Sequence, residues 1–125
     1  MSTDEVIERY RAHADICKVL TDPKRLMVLD ALRDGERSVG ELAAALGVAL
    51  PNASQHLAVL RSAGLVDSRR VRTSVRYRLA EPGIVEACDI IHAIVERRQQ
   101  ARARLSVAPA PTPAGPVTTP LEVSA

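Results

Sequence analysis

The stretch Pro51–Leu79, PNASQHLAVLRSAGLVDSRRVRTSVRYRL, admits few folds, because its hydrophobic period changes from helix-like to strand-like within one short run. Pro51 suits the first turn of a helix, where no backbone N–H is needed. Ala53, Leu57 and Leu60 recur at helical spacing and predict one buried stripe. Asn52, Ser54, Gln55, His56 and Arg61 fall on the other faces. Gly64 can adopt the left-handed conformation that ends a helix. Two β-branched runs then flank Arg72-Thr73-Ser74, an expected hairpin tip. Between Val66 and Leu79 five arginines face one acid, Asp67, a local charge of +4. A polar-faced helix beside an arginine-rich, two-stranded ribbon matches what base reading and phosphate gripping require. These residues point to double-stranded DNA as the partner.

The flanking segments read as further helices. From about Thr3 to Leu20, Val6, Tyr10, His13, Cys17 and Leu20 share one face at steps of three and four. Asp22-Pro23 is a helix start, a carboxylate cap followed by proline. The helix it opens runs through Leu26, Val28, Leu29 and Leu32 and stops near Gly35. Ser38 and Glu41 form a capping box ahead of the short helix ELAAAL, which Gly47 closes. This helix and the one starting near Pro51 have the dimensions of a helix-turn-helix. After the hairpin, Glu81-Pro82 opens a helix of about twenty residues with a stripe of Ile84, Cys88, Ile91 and Val95. Little chain remains to cover that narrow stripe, so the first and last helices are expected to form a two-fold homodimer.

The expected class is mainly α with a small β-hairpin wing, in the order helix, helix, helix, helix, strand, strand, helix. Residues 1–104 are assigned to one DNA-binding and dimerisation domain. Residues 105–125 hold five of the eight prolines and one charge, and are expected to be a disordered tail. The core must be aliphatic, since there is no Trp or Phe and only Tyr10 and Tyr77. In a chain of 125 residues such a core is thin, and dimerisation would add burial. Two cysteines make no disulfide framework, no secretory segment is evident, and no apolar run approaches the roughly 18–20 residues of a membrane span. The expected location is the cytoplasm, with no membrane partner.

Taken in order, Leu20–Leu79 resembles the ArsR/SmtB family of bacterial winged-helix repressors. The segments that carry the resemblance are DPKRL, the GER turn, ELAAALG, SQHLAVLRSAGLV and the arginine wing ending in YRL. It implies a homodimeric repressor that leaves its operator when an effector binds. It also implies base contacts from Ser54 and Gln55, with Asn52 and His56 beside them. Glutamine suits a bidentate contact with adenine. Arg69, Arg70, Arg72 and Arg76 suit phosphates or the adjacent minor groove, and the operator should be an imperfect inverted repeat.

The effector is left open. The family's Cys-x-Cys metal site at the start of the third helix has no counterpart, because Glu36–Gly40 contains no cysteine. On the last helix, Asp89, His92 and Glu96 offer a flank that departs from the family's metal pattern. His13 with Cys17, and Cys88 with His92, are each four residues apart, and their convergence would make a zinc or metalloid site. Alternatively Cys17 and Cys88 form a disulfide or polysulfide switch, or simply pack as small hydrophobes. No phosphate loop, HExxH or Gly-x-Ser-x-Gly motif is present, so an enzyme is not expected. A winged helix serving as a protein-interaction module would lack the wing arginines and would expose an apolar recognition face.

Overall fold

The structure, a computed structural model, describes residues 1–107. In chain order it contains α1 (Thr3–Val19), α2 (Pro23–Ala31), β1 (Arg37–Ser38), α3 (Val39–Leu46), α4 (Leu50–Ser62), β2 (Val66–Val71), β3 (Ser74–Leu79) and α5 (Gly83–Val107). Two compact units are present among the described residues, Met1–Ala87 and 88–107. The first holds the winged helix-turn-helix. The second holds the greater part of α5.

The sheet departs from the expected two-stranded hairpin. Its three antiparallel strands lie in the order β1-β3-β2, and Arg37 and Ser38 pair with Tyr77 and Arg76. Two residues are too short a strand to carry a hydrophobic period. The wing tip is also tighter than expected: Val71 pairs with Ser74, leaving Arg72-Thr73 as the turn. Arg72 takes a left-handed φ of 59°, which permits so short a connection.

A small aliphatic core joins α2, α3, α4 and the base of the wing. Leu29, Leu32, Leu42, Leu57, Leu60, Val28 and Val66 are its largest fully buried side chains. Val85, in the first turn of α5, completes it, and Tyr77 and Leu79 pack at its edge. The predicted stripe of Ala53, Leu57 and Leu60 is fully buried. Helix α1 behaves differently. Val6, Tyr10, His13 and Cys17 are exposed, while Ile16, Val19 and Leu20 pack against the core. Only Leu20 of the predicted stripe therefore faces inward.

Polar groups close the helix ends. The Ser38–Glu41 capping box forms as expected, and an equivalent one, Ser2–Glu5, opens α1. Gly47 ends α3 at a φ of 67°. Three basic side chains donate to the last carbonyls of three helices, where the helix dipole favours positive charge. Arg25 Nη1 reaches Val19 O at 2.8 Å, Lys24 Nζ reaches Leu46 O at 3.1 Å, and Arg37 Nε reaches Ala31 O at 2.7 Å. Helix α5 extends through Leu105–Val107, residues assigned above to the tail. The rest of that tail, residues 108–125, lies outside the described residues. Among the described residues no helix is long and apolar enough to cross a membrane.

Candidate nucleic-acid interface

Helix α4 is fixed by its buried stripe and by Pro51 in its first turn, with no side-chain cap on Ala49. Because Ala53, Leu57 and Leu60 face the core, the opposite side is free. Asn52, Ser54, Gln55 and Arg61 are all exposed there. Asn52, Ser54 and Gln55 can each donate to and accept from base edges, while the Arg61 guanidinium can only donate.

His56, grouped with them on sequence grounds, is placed elsewhere. Its side chain retains 20% exposure, and Nδ1 lies 3.9 Å from Asp22 Oδ2. One helical position separates it from Gln55, and that rotation is enough to turn it toward the start of α2. There Asp22 Oδ1 also accepts from the Lys24 backbone N–H at 2.8 Å. His56 therefore links α4 to the start of α2.

The wing arginines divide into two sets. On the sheet face that carries Asp67 and Val71, Arg69 and Arg76 stand directly opposite each other on β2 and β3. Both turn to Glu36. Arg69 donates Nε to Oε2 at 2.6 Å and Nη2 to Oε1 at 3.0 Å. Arg76 donates Nε to Oε1 at 3.3 Å and Nη2 to the Glu36 carbonyl at 3.2 Å. The Arg69 guanidinium, with help from Arg76, holds the Glu36 carboxyl below its ordinary pKa. Arg78 lies 3.9 Å from Asp67. By contrast Arg70 and Arg72 are exposed, and no hydrogen bond or ion pair among the described residues engages them. The sequence showed the charge of the wing but not that Glu36 answers part of it.

Of the effector candidates, His13, Asp89, His92 and Glu96 are exposed, the Cys17 thiol is exposed and that of Cys88 is half-buried. Among the described residues of one chain, no three His, Cys, Asp or Glu side chains stand together as a metal site.

Comparison with known proteins accords with this geometry. The profile described as "Bacterial regulatory protein, arsR family" matches residues 22–68. A biofilm growth-associated repressor of Agrobacterium fabrum is 46% identical over 81 residues, 65% of this chain and 69% of that protein. The crystal structure of the transcriptional repressor BigR from Xylella fastidiosa superposes with a TM-score of 0.65 at 36% identity, over 75% of this chain and 96% of that one. The homodimeric winged helix-turn-helix DNA-binding domain of a possible ArsR-family regulator from Mycobacterium bovis gives a TM-score of 0.68 at 32% identity, over 77% of this chain and 89% of that one. This chain belongs to the ArsR family of bacterial regulatory proteins, DNA-binding regulators of transcription built on a winged helix-turn-helix.

Proposed function

We propose that the chain is a homodimeric repressor that reads an inverted-repeat operator in the cytoplasm. In this arrangement Asn52, Ser54 and Gln55 lie on base edges, while Arg61, Arg70 and Arg72 lie on the backbone. The observation that carries the proposal is the pairing of an exposed polar face on α4 with two wing arginines that no hydrogen bond or ion pair engages among the described residues. Dimerisation is supported by apolar side chains left uncovered on α1 and on α5. Val6, Ile7 and Tyr10 are exposed on the first, and Ile90, Ile91, Ile94 and Val95 on the second. The similar Mycobacterium bovis domain is described as homodimeric.

Release from DNA is assigned to the two cysteines. Exposure of the Cys17 thiol argues against a role limited to packing within the chain. Oxidation by peroxide or polysulfide would join two thiols through sulfur, and the joined form must favour a dimer geometry unsuited to DNA.

Fluorescence anisotropy on the promoter DNA beside the chain's own gene tests both parts. Gln55→Ala is expected to weaken operator binding by about 1–3 kcal/mol and to relax preference at one base position in each half-site. Unchanged sequence preference would remove α4 from the role of reader. Oxidant should release the native protein, with a matching change in intact mass, and should not release Cys17→Ser/Cys88→Ser. Release of that double variant by oxidant, or of the native protein by Zn²⁺ alone, would overturn the thiol assignment.

A further inference from the structure

We propose that Glu36 limits how many charges the wing brings to DNA, holding Arg69 and Arg76 off the phosphates and leaving Arg70 and Arg72 as the gripping pair. Glu36 acts in this way only if the wing lies on DNA as proposed above.

Two like charges directly opposite across a β-ladder repel each other. Arg69 and Arg76 occupy such a pair, and the Glu36 carboxylate accepts from both. Its grip on Arg69 is a two-point fork, the geometry with which a guanidinium holds a phosphate. The Nε–Nη2 edge with which Arg69 would fork a phosphate is therefore already engaged. Arg76 is held more fully still, by the Glu36 carbonyl and by Glu41 Oε1 at 3.8 Å.

The carboxylate is also well anchored. Glu36 immediately precedes β1, whose pairing with β3 fixes the backbone beside it, and its side chain keeps only 22% exposure. The Arg78–Asp67 pair is looser, at 3.9 Å with both side chains more than half exposed. Arg70 falls on the other sheet face from Arg69, and Arg72 sits at the tip, so neither competes for Glu36. Fewer phosphate contacts mean less sequence-independent affinity and a larger share of recognition left to α4.

The test is the salt dependence of binding to a mixed-sequence duplex without operator, measured by anisotropy. Each phosphate contact adds about 0.9 to the slope of log K against log salt. In the proposed homodimer each substitution removes one contact from each of two wings, so Arg70→Ala and Arg72→Ala should each flatten the slope by about 1.8, whereas Arg69→Ala should leave it unchanged. Glu36→Gln, which frees one or two arginines on each of the two wings, should steepen it by about 2–4 and tighten binding by about eightfold per added contact at ~0.1 M salt. In an Arg69→Ala/Arg76→Ala background, Glu36→Gln should have no effect on the slope.

Flattening by Arg69→Ala equal to that by Arg72→Ala would overturn the proposal. So would a folded Glu36→Gln protein whose slope is unchanged or shallower. If Glu36→Gln loses its cooperative melt, the Arg69→Ala result decides alone. Should neither Arg70→Ala nor Arg72→Ala move the slope, the wing itself is not on DNA. That outcome overturns the wing assignment as well as the role of Glu36.

Discussion

Replacing Asp22 by alanine removes one carboxylate that serves three neighbours, and its effect can be worked out group by group. Oδ1 caps α2 by accepting from the Lys24 N–H at 2.8 Å. Loss of such a cap costs about 1 kcal/mol, within a range of roughly 0.5–2. Oδ2 lies 3.9 Å from His56 and 3.8 Å from Arg25, with all three side chains 20–31% exposed. At that distance and exposure the Arg25 pair adds about 0–1 kcal/mol, and the His56 contact is an ion pair only when its imidazole is protonated. Asp22→Ala should therefore destabilise the protein by about 1–2 kcal/mol, most of it from the cap. Asparagine caps as well as aspartate, so Asp22→Asn should lose less than half as much. With about 4–8 °C of Tm per kcal/mol in a domain near this size, the alanine variant should melt some 5–15 °C lower. Thermal and urea unfolding by far-ultraviolet circular dichroism would measure this, at one protomer concentration because a dimer's stability varies with it. Equal losses in the two variants would show that charge outweighs the cap. An alanine variant within about 0.5 kcal/mol of the native protein would refute the cap's contribution altogether.

Leu57→Ala opens a cavity at a fully buried position of α4 and should cost about 2–5 kcal/mol in urea unfolding. Gly47→Ala meets no atom within 4 Å, so its loss of about 1 kcal/mol should come only from holding an L-residue at a φ of 67°. Glu5, Glu36 and Glu41 all have their carboxyl pKa lowered from the ordinary 4.5, by Ser2, Arg69 and Ser38 respectively as the largest causes. A depressed folded-state pKa gives stability that is whole above 4.5 and is lost as pH falls through the lower folded value. The urea midpoint should accordingly decline below pH 4.5, and less steeply in Glu36→Gln.

Local spacing carried α2, α3 and α4, because their apolar residues recur every three or four positions and their ends bear caps that act within a few residues. Ser38, Gly47 and the buried Ala53–Leu57–Leu60 stripe stand as expected. Helix α1 was legible as a helix but not in its orientation. It bears apolar residues on more than one face, and period alone does not say which face the chain buries. Ile16 and Val19 pack, while Val6 and Tyr10 are exposed. The assignments least visible in sequence depend on distant partners. Arg69 and Glu36 are 33 positions apart, and His56 meets Asp22 across two intervening elements. No local pattern encodes such pairings, so the spacing offered Arg69 to phosphates without showing that Glu36 holds it.

The absence of tryptophan makes the two tyrosines separate optical reporters. Tyr77 lies in β3 between Arg37 and Ser68, at the edge of the core. Its emission should respond to changes at the base of the wing. Tyr10 stands 66% exposed on α1, where association through that helix would change its quenching. Tyr77→Leu and Tyr10→Leu would each leave a single-emitter protein, one watching DNA engagement and the other self-association, without an attached dye.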